Sequence, residues 1–146
     1  MSIEWLRSYV EKLLREGSGN EPTQDSDGDY PFRWGTAACW VRVHEQPFWR
    51  VEAFAHAVLG VRPTVRLLRE INDANARLIS GRIYVAGGVV IVEQSVLAHG
   101  LTADALAQAC IAVGRAANDL GPLLAVMFDG QTPFPAEAEP IQSEGA

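Results

Sequence analysis

The sequence predicts an α+β fold, a five-stranded antiparallel sheet with helices packed on one face, in the order α-β-β-β-α-β-β-α. Apolar residues recur at helical spacing in three separate stretches and at alternate positions in the stretches between them. The strand-like stretches mostly follow one another through short turns. Half-polar strands that are neighbours in sequence pair antiparallel and leave one face for helices.

The first element lies within residues 1–17. Ile3, Leu6, Val10, Leu13 and Leu14 stand at helical spacing, with Glu4, Arg7, Glu11 and Lys12 largely on the other side. Gly17, Gly19 and Pro22 stop that helix, so residues 18–29 read as a flexible connector. The α+β domain then spans 30–130. Cys39, Val41 and Val43 alternate with Trp40, Arg42 and His44, HEQP supplies a turn, and FWRVEAFA alternates again, which gives two or three strands.

After a break at Gly60, Pro63 fits a first helical position, and Val65, Leu68, Ile71, Asn75 and Leu78 form the stripe of a second helix ending near Gly81. RIYVA and VVIVEQSV follow, joined at Gly87-Gly88, a dipeptide that reaches the positive φ values of a two-residue hairpin turn without steric penalty. Thr102 is placed to cap a third helix, with Asp104 in its first turn and Leu106, Cys110, Val113 and Ala117 on one face. Gly121-Pro122 is expected to interrupt that helix, leaving PLLAVMF as an apolar turn or short strand. Residues 131–146 have the proline and acid content of a disordered acidic tail.

The chain of 146 residues carries a formal charge of −6, which opposes association with phosphate backbones and anionic lipid, so neither nucleic acid nor membrane is expected as a partner. Charges fall at every turn of the N-terminal stretch and no run approaches ~20 apolar residues, so a cytoplasmic protein is expected. Cys39 and Cys110 lie in apolar surroundings without metal-ligand spacing and read as two buried thiols rather than a disulfide.

Asp25, Asp27 and Asp29 resemble the start of a calcium loop. Counting from Asp25, however, position 6 is Tyr30 instead of glycine and position 12 is Thr36 instead of a bidentate carboxylate. The better reading is a turn, in which aspartate side chains accept backbone amides and Gly28 bends the chain into the first strand. His44, His56 and His99 show no catalytic or metal spacing, and Gly-rich phosphate loops and nucleophile elbows are missing. No catalytic residue, metal site or cofactor is therefore expected. Asn72 and Asn75 could bond a ligand, but one of them more readily ties down the adjoining helix-to-strand loop.

Alternation sends Cys39, Val41, Val43, Val51, Ala53, Ile83, Val85, Val90 and Val92 toward the helices. Trp40, Arg42, Arg50, Phe54, Arg82, Tyr84 and Ile91 go to the opposite face, with Glu52 and Glu93. A register slip of one residue would reverse this assignment. Aromatic and aliphatic groups left there favour burial by about 1.5–3 kcal/mol each, so a second copy, a bound polypeptide, or the chain's own first helix or C-terminal tail should cover them. Arginines interleaved with aromatics suit protein recognition. The expected partner is a protein or peptide client; the alternative is a self-assembling structural or regulatory subunit using that face only to form a homodimer.

Three stretches, DGDYPFRWGTAACWVRV, LLREINDANARLISGRIYV and VVIVEQSVLAHGLTADAL, resemble the actinobacterial proteins grouped with YbjN and the CesT-like type III secretion chaperones as peptide-binding chaperone-like domains. The likeness covers roughly residues 25–130. It implies the same α-β-β-β-α-β-β-α order and a non-enzymatic binder of extended or partly folded polypeptide, often dimeric.

Overall fold

The structure, a computed structural model, describes residues 1–136 and shows the predicted element order. The elements are α1 (Ile3–Ser18), β1 (Tyr30–Trp34), β2 (Ala37–His44), β3 (Arg50–Leu59), α2 (Val65–Arg77), β4 (Arg82–Ala86), β5 (Val89–Leu97) and α3 (Ala103–Met127), with a single 3-10 turn between β5 and α3. The strands form one sheet in the spatial order β1-β2-β3-β5-β4, and every pairing is antiparallel. Gly87 and Gly88 have φ of 57° and 77°, the values a two-residue β4-β5 hairpin turn requires.

All three helices lie on one face. Leu6, Val10 and Leu13 of α1 are buried with Tyr30, Val41, Val51, Leu101 and Leu106, so the first helix packs on its own domain. The Tyr30 hydroxyl donates to Glu11 at 2.8 Å and fixes α1 over β1. The second core cluster joins Ala53, Ala55 and Ala57 of β3, Val90 and Val92 of β5, and Val113, Ala117 and Leu124 of α3.

Helix α2 differs from its expected phase. Thr64, not Pro63, marks its start, its hydroxyl accepting from the Leu67 amide, and the buried stripe is Leu67, Ile71 and Ala74. Val65 and Leu68 point outward. Two overlapping apolar stripes satisfy the same helical spacing, and contact with β4 selects between them. Thr102 caps α3 as expected, accepting from the Ala105 amide at 3.1 Å.

The interruption expected at Gly121-Pro122 is absent: α3 continues to Met127 with Pro122 inside it and exposed. A proline in a helix interior costs about 3 kcal/mol. Continuing the helix buries Leu124, favourable by about 1.5–3 kcal/mol, and lets Gly121 rest on the sheet backbone. By length and composition α3 is apolar enough to cross a membrane, yet here it is the helix that covers the sheet.

Of the residues expected to form a tail, 131–136 run back along the domain. Gln131 bridges to Leu59, the Phe134 amide donates to the Thr36 carbonyl at 3.1 Å, and Arg33 donates to the Pro135 carbonyl at 3.2 Å. Residues 137–146 lie outside the described residues.

Two glycines predict opposite responses to alanine. A Cβ on Gly121 would meet the Ala57 carbonyl oxygen at 2.7 Å, whereas one on Gly17 meets nothing within 4 Å. Gly121→Ala is expected to lower stability by about 1–3 kcal/mol, and Gly17→Ala to raise it by about 0.5–1 kcal/mol, both read from urea unfolding midpoints.

Candidate functional site

Opposite the helices, strand register brings the predicted face together in three cross-strand rows. Pro31, Trp40, Phe54, Glu93 and Arg82 form the central row from β1 to β4. Arg33, Ala38, His56, Ile91 and Tyr84 form the row on one side, and Arg42, Glu52 and Ser95 the row on the other. Rows on one face of a pleated strand repeat every second residue, about 6.7 Å apart. Six of the seven expected residues, Trp40, Arg42, Phe54, Arg82, Tyr84 and Ile91, are therefore neighbours. Arg50 lies at the end of the same face near the β2-β3 turn, in the next row with His44 and Leu97, donating to the Gln46 carbonyl and lying 5.5 Å from the Phe48 ring centroid.

Phe54 does not offer the open apolar surface expected of it, being only 8 % exposed. Trp40 stacks against it with centroids 5.2 Å apart, and the Arg42 guanidinium lies 4.7 Å from its ring. A side chain on the central strand is flanked on both sides, and long neighbours close over it. Trp40, Tyr84 and Ile91 stay partly exposed and form the accessible aromatic and aliphatic part of the face.

Charge on this face is layered. Asp29, Glu52 and Glu93 are buried. The Asp29 carboxylate takes both prongs of Arg42, at 2.9 and 2.7 Å, and Glu93 accepts from Arg82 and, at 2.9 Å, from the Tyr84 hydroxyl. His44 Nε2 stands 3.5 Å from Glu52. The arginines reach outward, with the Arg42 side chain 42 % and the Arg82 side chain 69 % exposed. Carboxylates thus form the floor and guanidinium groups the surface. Hydrogen bonds to these carboxylates raise the pKa of Arg42 and Arg82, and burial together with Glu93 pushes Tyr84 up to about 12. His56, tilted against Trp40 with centroids 4.6 Å apart, is held below its ordinary value by burial and by Arg42. Such a surface can stack on side chains and donate to backbone carbonyls or carboxylates.

The aspartate stretch serves this face. Asp25 Oδ1 accepts the amides of Asp27 and Asp29 at 3.0 and 2.9 Å, building the turn read from the sequence, and the chain enters β1 rather than a helix. The three carboxylates bring oxygens within 4.8 Å of one another, but both oxygens of Asp29 already hold Arg42. Asn75 ties helix to strand: its side-chain amide donates to the Ile83 carbonyl and accepts from the Ile83 amide, both at 2.8 Å.

A second feature was not found from the sequence. On the helical side, at the free edge of β1, a groove of about 530 Å³ opens between the end of α1 and the first half of α3, lined by Leu13, Leu14, Phe32, Trp34, Leu106 and Cys110, among others. Tyr30, Phe32 and Trp34 alternate along a five-residue strand, more inward aromatic surface than a helical layer thinned by Ala103 and Ala107 can cover. That imbalance was the available signal.

Cys39 and Cys110 are both free thiols. Burial pushes Cys110 up to about 11, and burial together with the neighbouring Cys110 pushes Cys39 up to about 12.

The domain thus has two layers, a helical side with an apolar groove and an open sheet side with aromatics above paired charges. The chain belongs to the family described as type III secretion system (YopN, CesT) and YbjN peptide-binding chaperone 1, whose pattern matches residues 4–136. Among solved structures it is similar to a chain of the ExsC-ExsE complex, with a TM-score of 0.65 and 20 % identity over 82 % of this chain and 96 % of that one. It is also similar to YbjN from E. coli, with a TM-score of 0.56 and 14 % identity over 91 % of this chain and 96 % of that one. At those identities the likeness establishes the fold. No curated protein matches the sequence.

The thiols give a pH dependence. A folded-state pKa above the ordinary 9.0 means the native state holds its proton more tightly than the unfolded chain, so stability is full below pH 9 and falls as pH rises toward 11–12. At pH 10 the loss is about 1 kcal/mol for each thiol. Urea midpoints at pH 8 and pH 10 for the wild type and a Cys39→Ala/Cys110→Ala variant measure it, the variant showing the smaller drop.

Proposed function

We propose that this protein is a non-enzymatic chaperone or adaptor that binds an extended or partly folded client polypeptide across the open sheet face. The carrying observation is that Trp40, Arg42, Arg82 and Tyr84 stand together, partly exposed, on a surface none of the described helices covers. Trp, Tyr and Arg supply most of the binding energy at protein interfaces. Membership of a peptide-binding family supports a polypeptide ligand, as does likeness to a protein found in a complex.

Side chains rather than strand addition hold the client. Strand pairing at a sheet edge needs free backbone donors and acceptors. On β4 the amide and carbonyl of Ile83 are taken by Asn75, and on β1 Pro31 has no amide hydrogen to give. A client passing round the β1 edge meets the 530 Å³ groove as well, which is of a size to take an apolar side chain. A reducing, cytoplasmic setting suits the two free thiols.

Selection of peptides from a random library on the immobilised protein tests the reading. Trp40→Ala and Arg42→Glu are expected to weaken the selected peptides at least ~10-fold by fluorescence anisotropy, while Trp5→Ala, on the outer side of α1, leaves them unchanged. Failure to select any peptide, or equal affinity for all three variants, defeats the proposal.

A further inference from the structure

We propose that the groove between α1 and α3 is a binding site for a single-chain amphiphile, a small molecule with one aliphatic tail and an uncharged polar head. This goes beyond the client reading, because the groove lies on the helical side of the sheet, across from Trp40 and Tyr84.

The groove follows from the residues on either side of it. Along β1, Tyr30, Phe32 and Trp34 turn inward at alternate positions. Tyr30 is buried under α1, but Phe32 and Trp34 stay partly exposed, because α3 presents Ala103 and Ala107 where larger residues would close the gap. Gly19, with φ of 73°, ends α1, and the connector after it supplies the polar part of the lining at Ser18, Asn20 and Thr23.

Volume, hydrogen bonding and charge select the occupant. A cavity of about 150 Å³ already takes benzene, so the 530 Å³ here has room for about 20 non-hydrogen atoms, several times what one aromatic side chain of a client fills. A length of main chain would bring amides and carbonyls against Leu14, Phe32, Trp34, Leu106 and Ile111, whose side chains can pair with none of them. An aliphatic tail has no such groups to satisfy and binds by removing apolar surface from water. The head group follows from the connector. Glu21 is the one charged residue among the described lining residues, and both its carboxylate oxygens already accept from Arg15, at 2.8 and 2.7 Å, so an ionic head finds no free counter-charge. The Asn20 carboxamide and the Thr23 hydroxyl make no side-chain hydrogen bond to other described residues, and they offer both donors and acceptors to the hydroxyl or carbonyl groups of an uncharged head.

The test uses the full chain with monododecanoylglycerol, dodecanoate and dodecyltrimethylammonium, which share one tail and differ in head charge, each kept below its micelle concentration. Calorimetry measures affinity. Occupancy of the groove is read from the alkylation rate of Cys110, the partly exposed thiol of its lining, located by mass spectrometry with the fully buried Cys39 as internal reference. Monododecanoylglycerol is expected to bind one per chain and, at about ten times its dissociation constant, to slow Cys110 alkylation about 10-fold. The two charged analogues should bind at least ~10-fold more weakly, since their heads find no partner. Ala107→Trp, a change at an exposed position of α3 that fills the groove, should abolish binding with the circular dichroism spectrum unchanged. Asn20→Ala/Thr23→Ala, in the exposed connector, should weaken the neutral ligand and leave the charged ones as they were. Peptides selected on the open sheet face should lose affinity in Trp40→Ala and keep it in Ala107→Trp. Absence of binding by the neutral ligand, or binding that Ala107→Trp leaves intact, overturns the inference. Equal affinity for all three heads also overturns it, as does protection of Cys110 by the selected peptides, which would give the groove to the client.

Discussion

Everything in this fold depends on how closely α3 lies on β3. Gly114 meets the Trp34 side chain and Gly121 the Ala57 carbonyl, each at a separation where a Cβ would stand below 3 Å from its neighbour. Ala109 and Ala117 are fully buried on the same helix, and Ala53, Ala55 and Ala57 on the strand beneath. Small residues on both sides let the helix sit low, and that contact sets the position of the whole helical layer. With α1 leaning on Leu106 and α2 on Ile83, helices gather on one face, and the other is left to its own side chains.

That open face keeps its shape because its charges are arranged by depth. A buried carboxylate loses water, and an unpaired one would carry a desolvation penalty of several kcal/mol. Asp29 and Glu93 avoid this by holding Arg42 and Arg82, whose guanidinium groups also lie over the Phe54 and Tyr84 rings. The pairs thus stiffen the two arginines that face solvent. Two bonds from Asp29 use only part of the Arg42 guanidinium, so donors remain for a further partner. The aspartate stretch that resembles a calcium loop is in this light a turn that ends by orienting a surface cation.

Sheet edges add a second constraint. A binding domain with two open edges would also recruit other strands. Asn75 occupies the backbone groups of Ile83 and Pro31 removes a donor from β1, so fewer backbone groups are left for strand pairing at the two edges. The same economy explains why the chain after α3 turns back: its backbone groups find partners at Leu59 and Thr36.

Local patterning in the sequence determined the elements themselves, since period-two alternation in AACWVRV and RIYVA, the Gly87-Gly88 turn and the Thr102 cap are each set within a few residues. It also determined which residues share the outer face, because register parity assigns every side chain of a strand at once. The phase of α2, the continuation of α3 through Pro122, the burial of Phe54, the partners of Asp29 and Asn75 and the groove above Trp34 were decided only in the tertiary structure. Each depends on a neighbour distant in sequence: β4 for α2, the Ala57 carbonyl for Gly121, Trp40 and Arg42 for Phe54, and the gap between two helices for the groove. Spacing within one segment carries no record of what another segment brings against it, and packing energies of a few kcal/mol suffice to choose among conformations that local propensity leaves nearly equal.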